Sequence, residues 1–370
     1  MEWLAYHYTV LPLSHLILEL DPQSEKEEII DKIIKTWEPF LKIDKYAKEN
    51  WLPPHGWKNE KKSADFIAQA HKQRQNVFIG KCLREMKEAG HDWVFVADAD
   101  EFAIFNYIHK DEDPNLYDSI VRDVRTKENI TIAREKYASV RNRLPALQEH
   151  VTVADFIHGE QEEKCYRLPS LKFSAHQARI GRVELSPSAE LLVSLVQHRT
   201  GPKEGLYSKT ILDVSQLEAE FLDYERVDSV HNPNRLICGD NGISGSGTDY
   251  IASVLRLNRH AAGSAEQYAE SGGDFRGSKP FERFLTDQHF DPVGENSDND
   301  YWIDWFIKKV GLVNAEKLLF KPLLTRHKEM AHNMNVKDLN AVLTSMQIIP
   351  PPKNKRAVVI NDEGEADEER

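Results

Sequence analysis

The spacing of apolar positions in the first hundred residues predicts alternating helices and strands. From Ser63 to Lys87 the apolar positions largely keep helical spacing, and Gly90 follows as a left-handed helix cap. The run Trp93–Ala97 is then apolar at every position, which is typical of a strand covered on both faces of a sheet. A second strand-like run covers His15–Leu20, and a helix with isoleucines on one side follows Ser24. This order predicts an α/β fold.

Beyond residue 100 the pattern remains mixed and then becomes helical. Six further runs are rich in apolar and β-branched residues and are predicted strands: Ile130–Ala133, Val151–Ile157, Leu171–Ser174, Leu191–Gln197, Thr210–Val214 and Ile251–Leu257. After about residue 299, helices are expected to cover one edge of the fold with Tyr301, Trp302, Trp305, Phe306, Ala315, Leu318 and Leu319. We expect a core unit over residues 1–235, a strand-and-helix extension packing on it over 236–349, and a disordered acidic tail over 350–370.

The overall composition argues against several classes of protein. The formal net charge is -12 and the sequence pI is about 5.7, without a basic face, so no nucleic-acid partner is expected. No run of about 18 apolar residues and no signal-peptide core occurs, so the residues alone predict a soluble, untargeted chain. The three cysteines, Cys82, Cys165 and Cys238, are widely spaced and lack a C-x-x-C pattern, which argues against a disulfide framework or a structural zinc site.

The apolar run at residues 93–97 ends in three carboxylates within four residues, Asp98, Asp100 and Glu101. Side chains alternate along an extended segment, so Asp98 and Asp100 should point to one side, where a divalent cation most simply relieves their repulsion. Carboxylate oxygens suit Mg²⁺ or Mn²⁺, which bind through one or two carboxylates together with substrate phosphates. A phosphate-bearing substrate is therefore part of this hypothesis. The alternative is a solvated acidic turn in which Asp98 caps a local backbone group.

Several stretches of the chain together carry a family resemblance. They are Glu2–Tyr8 (EWLAYHY), Asp21–Ser24, Arg74–Phe78 (RQNVF), Trp93–Val94, Asp98–Phe102 (DADEF), Lys209–Ile211 and Val230–Pro233. These segments resemble the E-W-L-x-Y-H and R-Q…W-x…D-x-D-E-F pattern of GT-A-type glycosyltransferases, in the group around glycosyltransferase families 2 and 92. The resemblance implies an α/β, GT-A-like (Rossmann-like), mostly parallel sheet with flanking helices and a helical C-terminal part. It also makes residues 1–235 the catalytic core.

The same resemblance implies an activity and roles for individual residues. The activity is a metal-dependent, inverting transfer of a sugar from a nucleotide-sugar donor to a glycan or protein-glycan acceptor. The implied ligands of Mn²⁺ or Mg²⁺ are Asp98, Asp100 and His231, and the residues implied to contact the donor are Asp21, Arg74, Asp98 and Lys209. Plainer alternatives stay open. Asp21 would then shape a turn, Arg74 and Lys209 would face solvent, and His231 would be a packing residue.

An inverting transfer also needs a carboxylate that deprotonates the acceptor hydroxyl. The sequence does not single it out, and the candidates on the segments expected to meet the acceptor are Asp155, Glu160, Glu162 and Asp274. Without such a base, retention of configuration is the alternative.

Two rival classes of protein remain open. A haloacid-dehalogenase-like phosphatase also uses D-x-D after an apolar strand, but it needs a threonine or valine shortly after the second aspartate, where this chain has Glu101–Ala103. The other rival is a catalytically impaired sugar-binding or scaffold protein that has the GT-A fold and has lost donor binding.

The start of the chain departs from the pattern that the resemblance implies. In the GT-A fold a strand precedes the E-W-L helix, whereas Met1 directly precedes Glu2 here. The first strand is therefore expected to be missing, either because the start is truncated, which we favour, or because the sheet is built without it. A Golgi membrane anchor of the kind usual in the family would also lie upstream. Membrane attachment is expected only through such a segment, and a Golgi location only by resemblance.

Overall fold

The computed structural model describes fourteen stretches of the chain: 1–20, 27–47, 64–106, 142–146, 150–160, 163–174, 198–199, 208–218, 227, 229, 231–238, 253–259, 291–292 and 302–322. Their helices are α1 (Glu2–Val10), α2 (Glu27–Trp37), α3 (Ala64–Glu88), α4 (Val153–Gly159), α5 (Arg235–Cys238), α6 (Trp302–Val310) and α7 (Leu312–Ala315), which continues into a π-helical turn at Glu316–Phe320. Their strands are β1 (His15–Leu20), β2 (Lys42–Ala47), β3 (Trp93–Val96), β4 (Glu101–Phe105), β5 (Cys165–Ser174), β6 (His198–Arg199), β7 (Ser208–Asp213), β8 (Leu255–Arg259) and β9 (Asp291–Pro292).

These strands form two sheets. β1 and β2 pair in parallel, with His15 opposite Lys42. In the larger sheet β3 is followed by β7 and then by the long strand β5, which also pairs with β6 and β8; β9 adds to β6, and β4 adds to β8. The fold is mixed α/β, as predicted. The expected mostly parallel sheet is not confirmed, because five of the seven pairings between described strands are antiparallel.

Helix α1 lies at the centre of the main core. Tyr6 meets the rings of Phe102 and Trp302 edge-on, with centroid distances of 5.2 and 5.5 Å. Trp302 and Phe306 of α6 have no exposed surface, so these aromatic residues lie at the centre of the core. The helices predicted after residue 299 are confirmed over the described range, and they pack directly on α1.

Side chains of α1 also cover the free edge of β4. The Trp3 indole N–H donates to the Glu101 carbonyl at 2.8 Å, and the Tyr6 hydroxyl donates to the Ala103 carbonyl at 2.8 Å. The Ala103 N–H in turn donates to His7 Nε2 at 3.4 Å. An uncovered edge strand presents unsatisfied backbone groups. Residues 3, 6 and 7 share one face of the helix, so α1 replaces a neighbouring strand and fixes the chain where the acidic run ends.

Helix α3 and strand β3 are joined as the sequence predicts. Gly90 has a φ of +79°, the left-handed conformation that a helix-ending glycine adopts without strain. Leu83 and Met86 then pack against Val94 and Leu212 in a second apolar cluster. This packing sets the direction of β3, and with it the place where Asp98 leaves the sheet.

One predicted strand is wrong. Val151–Ile157 forms helix α4 from residue 153 onward, and the helix begins at a capping box: the Thr152 hydroxyl accepts from the Asp155 N–H, and the Asp155 carboxylate accepts from the Thr152 N–H. Val153, Phe156 and Ile157 are buried at helical spacing. The β-branched residues at the start of the run suggested a strand. The capping box and the three-and-four spacing of the buried residues instead favour a helix.

The other strand predictions fall into two groups. Leu171–Ser174 lies within β5, Thr210–Val214 corresponds to β7, and Ile251–Leu257 overlaps β8, which begins later and runs on to Arg259. The predicted strands at 130–133 and 191–197 lie outside the described residues, as do the acidic tail after 350 and the start of the predicted helix at Ser24.

A disulfide joins Cys165, at the start of β5, to Cys238 at the end of α5, with 5.1 Å between their Cα atoms. The wide spacing of the cysteines argued against a disulfide framework, and that inference is wrong for Cys165 and Cys238. The bond could not be predicted from the spacing of the cysteines, because the two residues are 73 positions apart and meet only where α5 packs against β5 and β7. In the chain-entropy picture, a loop of this length gives about 4 kcal/mol of stability.

Thiol titration in denaturant should find one reactive thiol, Cys82, without reductant, and three after reduction. Denaturant is needed because burial raises the pKa of the Cys82 thiol to about 12 and suppresses its reactivity in the folded chain. A Cys82→Ser variant is the control and should show no thiol before reduction. Three thiols in the untreated protein would contradict the disulfide.

Candidate functional site

The acidic residues after β3 form a closed turn. The Asp98 N–H donates to Glu101 Oε2 at 2.8 Å, and the Glu101 N–H donates to the Asp98 carbonyl at 3.1 Å. Glu101 is then the first residue of β4 and is 1 % exposed, whereas the side chains of Asp98 and Asp100 are 36 % and 31 % exposed. Glu101 thus supports the turn from inside, and the side chains of the two aspartates are partly exposed.

Two basic side chains from the sheet reach this acidic turn. Lys209 of β7 places its ammonium 3.2 Å from Asp98 Oδ1 and 3.7 Å from Glu101 Oε2, and it is almost fully buried. Arg259, the last residue of β8, donates from Nε to Asp100 Oδ2 at 3.3 Å. β7 lies beside β3, and β8 pairs with β4 so that Arg259 is opposite Glu101. The sheet register therefore brings both cations to the carboxylates.

These contacts determine the ionisation of the turn. Burial raises the pKa of Glu101 to about 7, although the charge of Lys209 acts in the opposite direction. Burial also works against ionisation of Asp98, but the adjacent Lys209 outweighs it and lowers the pKa of Asp98. For Arg259, burial opposes the charged form, and Asp100 nevertheless raises its pKa above the usual value. Asp98 is therefore held ionised, while Glu101 titrates near neutrality.

The three carboxylates fit a divalent cation. One oxygen from each of Asp98, Asp100 and Glu101 lies within 4.8 Å of the other two, and an all-oxygen donor set suits Mg²⁺ or Mn²⁺. The sequence argument for a metal took a divalent cation as the simplest way to relieve the repulsion between the aspartates. Lys209 and Arg259 relieve part of it as well. The acidic group could thus hold a metal, but its charge is already largely balanced.

His231, the predicted third ligand, belongs to a tight turn beside this group. The Ser229 hydroxyl accepts from the N–H groups of His231 and Asn232 at 3.2 and 3.0 Å. Burial, and then the charge of Lys209, lower the pKa of His231, so its imidazole is neutral at pH 7, as a metal ligand must be. Its ring nitrogens are outside the three-carboxylate group, but the ring is close enough to interact electrostatically with Asp98. Its role as a ligand stays a prediction.

A cavity of about 490 Å³ adjoins the acidic turn. Asp98 and Lys209 lie in its wall together with Arg74 and Gln75 of α3. Most of the remaining wall is aliphatic and comes from α1, β1, α2 and β2. Arg74, Asp98 and Lys209, three of the residues predicted to contact a donor, are thus brought to one cavity; the fourth, Asp21, lies outside the described residues.

The candidates for a catalytic base have structural partners where the structure describes them. Asp155 caps helix α4 through Thr152 and is exposed. Glu160 forms an ion pair with Arg143, whose Nε donates to Oε1 at 3.1 Å. Glu162 and Asp274 lie outside the described residues. The assignment of a base stays a prediction.

Two features of the site were not found from the sequence. Arg259 pairs with Asp100 across 159 positions of sequence, and only the β4–β8 register reveals the contact. The support of β4 by Trp3, Tyr6 and His7 was also missed, although the three-and-four spacing of these aromatic residues on α1 was a usable signal.

Comparisons of the chain with protein-family models, with curated proteins and with solved structures find no match. Within the part of the chain that the structure describes, no helix has both the length and the apolar character needed to cross a membrane.

Proposed function

We propose that this protein is a metal-dependent glycosyltransferase that moves a sugar from a nucleotide-sugar donor to a glycan or protein-glycan acceptor. In this proposal the sheet is a variant of the GT-A arrangement, and residues 1–235 form the catalytic core. The reaction proceeds with inversion and requires a carboxylate base from the acceptor side.

One observation carries the proposal: a three-carboxylate turn follows β3, and its Asp98 lines a cavity together with the basic side chains of Arg74 and Lys209. Asp98 and Asp100 are partly exposed, and Arg74 and Lys209 line the same cavity as Asp98. Carboxylates that could hold a divalent cation, placed next to cationic side chains, match the needs of a diphosphate ligand. The D-x-D-E-F resemblance supports the same interpretation.

In this proposal Asp98 and Asp100 hold Mg²⁺ or Mn²⁺, with His231 as a third ligand. When bound, the cation supplies positive charge to the diphosphate that departs as the glycosidic bond breaks. Lys209 and Arg74 would contact the phosphates from the cavity wall. Arg259 orients Asp100, and Glu101 keeps the turn closed through the Asp98 N–H.

The disulfide supports a secretory-pathway setting for the proposed enzyme. Disulfides such as Cys165–Cys238 form and persist mainly in oxidising compartments. A Golgi glycosyltransferase works in such a compartment.

The proposal is tested by measuring nucleoside diphosphate binding and nucleotide-sugar hydrolysis with and without metal. We expect binding to tighten at least about tenfold with Mn²⁺ or Mg²⁺, because the bare phosphates otherwise face Asp98 and Asp100 directly. Hydrolysis of one sugar in a panel of nucleotide sugars should vanish in EDTA and return with metal. Binding of equal strength without metal would argue against the proposal.

A second candidate, a sugar-binding or scaffold protein without transfer activity, is favoured by one observation. Lys209 and Arg259 already pair with the carboxylates, as they would in a site that has lost its metal. The same experiment separates the two candidates. A scaffold protein would show neither metal-dependent nucleotide binding nor hydrolysis, and it would still bind glycans.

A further inference from the structure

A second group of possible metal ligands lies at the other end of β3 from the acidic turn. His15 is the first residue of β1, and His91 lies two positions before β3 begins. Their rings approach each other with 3.1 Å between His15 Nδ1 and His91 Nε2, and the ring planes are inclined by 52°. The pair connects the two-stranded sheet to the segment that leads into β3. The proposed transferase chemistry uses neither histidine.

Asp44 of β2 sets the orientation and the tautomer of His15. Its Oδ2 atom accepts from His15 Nε2 at 2.7 Å, and this bond is the main reason why the pKa of Asp44 is below its usual value. The carboxylate is therefore ionised at pH 7 and can only accept, so the proton of a neutral His15 is on Nε2. Nδ1 then carries a lone pair directed at His91. A histidine whose far nitrogen donates to a carboxylate is the usual arrangement of a metal ligand.

His91 can supply the second lone pair. Burial, and then the neighbouring His15 and Lys42, lower the pKa of His91, although Asp92 acts in the opposite direction. Its imidazole is therefore neutral at pH 7. Without a cation the pair is satisfied when His91 Nε2–H donates to His15 Nδ1. In the other tautomer of His91 the proton is on Nδ1, and both facing nitrogens then have lone pairs that can bind one ion.

The spacing of the two nitrogens fits one tetrahedral ion. Two imidazole nitrogens that bind the same Zn²⁺ at about 2.0–2.1 Å are about 3.3 Å apart at a tetrahedral angle, close to the separation of 3.1 Å in this pair. The side chain of His15 is 4 % exposed and is held by Asp44, whereas His91 is only partly buried. An ion can thus reach the pair from the side of His91 without entering the core.

The donor set of this pair differs from that of the acidic turn. Imidazole nitrogens suit Zn²⁺ and Cu²⁺, whereas carboxylate oxygens suit Mg²⁺ and Mn²⁺. Within the described residues, no third histidine, cysteine or carboxylate joins the two histidines closely enough to share an ion, so the pair leaves positions for water. Lys42 brings a like charge nearby. Its ammonium is 62 % exposed and lies 3.4 Å from Asp44 Oδ2, so solvent and Asp44 weaken its repulsion of a cation.

We propose that His15 and His91 form a binding site for one late first-row divalent cation, such as Zn²⁺, with Asp44 as the residue that orients His15. The bound ion joins β1 to the segment before β3 and so links the two sheets directly. This proposal is independent of the transferase proposal, because it uses neither the acidic turn nor the cavity beside it.

The test is calorimetric titration of the full chain with Zn²⁺ alone. A His91→Gln variant loses one of two ligands at a partly exposed position and should bind Zn²⁺ at least about a hundredfold more weakly, because residues that only support a ligand already account for 10- to 100-fold. Asp44→Asn should weaken binding about tenfold, since it keeps an acceptor for His15 and removes the charge. His158→Gln, at an exposed position on α4, is the matched control and should bind like the unaltered protein. Zn²⁺ at the acidic turn is common to all four proteins and cancels in the comparison.

NMR of the ring nitrogens in the unaltered protein gives a readout that needs no substitution. Substoichiometric Zn²⁺ should shift the signals of His15 Nδ1 and His91 Nε2 together, while those of His158 stay in place. Zn²⁺ affinity that is equal in the unaltered, His91→Gln and His158→Gln proteins would overturn the proposal. Ring signals of His15 and His91 that do not move even at saturating Zn²⁺ would overturn it as well.

Discussion

An Asp100→Asn variant should bind Mn²⁺ at least about a hundredfold more weakly than the unaltered protein and lose sugar transfer to a similar degree. The loss of one of two partly exposed carboxylates removes a charged ligand, and even residues that only support a metal ligand typically account for 10- to 100-fold in affinity. Asparagine is preferred to alanine because it leaves an oxygen for Arg259, whose Nε lies 3.3 Å from Asp100. The fold should therefore persist, as checked by its unfolding midpoint.

Asp304→Asn provides the matched control for this experiment. Asp304 is an exposed carboxylate on α6, so its substitution changes the net charge of the protein equally without touching the acidic turn. Mn²⁺ binding is measured by calorimetry, and transfer by release of nucleoside diphosphate. A stable Asp100→Asn protein with unchanged metal affinity and full activity would sink both the metal site and the transferase proposal.

Acidification from pH 7 to pH 5 should lower the free energy of unfolding by about 2 kcal/mol through His7 alone. His7 is fully buried, its Nδ1–H donates to the Trp3 carbonyl at 2.9 Å, and Nε2 accepts from Ala103. Burial lowers its pKa from 6.5 to about 3, although the bond to Trp3 acts the other way. Below pH 6.5 the unfolded chain therefore binds a proton that the folded chain does not. The free energy of unfolding then falls by about 1.4 kcal/mol for each pH unit of acidification.

This contribution of His7 is isolated by comparing two variants with the unaltered protein in urea unfolding at pH 7 and pH 5. A His7→Gln variant has no titrating group at this position, so its loss of stability between the two pH values should be smaller by about 2 kcal/mol. In the control variant His158→Gln, an exposed histidine on α4 is replaced and the pH dependence should match that of the unaltered protein. If all three proteins lose the same stability, His7 does not control acid sensitivity.

The parts of the fold that could be predicted are those fixed by local sequence. Helix α3, the left-handed Gly90 and the apolar strand β3 follow from spacing and from one residue type at a turn, and the structure confirms all three. The contact that closes the acidic turn is also local, because Glu101 accepts from the N–H of Asp98 only three positions away.

The features that could not be predicted depend on contacts between distant residues. The ion pairs of Lys209 and Arg259 with the acidic turn need the registers of β3–β7 and β4–β8, which no local pattern specifies. The antiparallel pairings and the Cys165–Cys238 bond arise in the same way. The wrong strand prediction at α4 has a different cause. The capping box of this helix was visible in the sequence, but the β-branched residues were given more weight.

The disulfide also encloses two of the site residues within a covalent ring. Lys209 and His231 both lie between Cys165 and Cys238 in the chain. A single proteolytic cut anywhere between these cysteines leaves two fragments that remain joined, so neither fragment can diffuse away. The chain could likewise be given new termini at a position within the ring. Lys209 and His231 would then keep a covalent link to the strands that position the acidic turn.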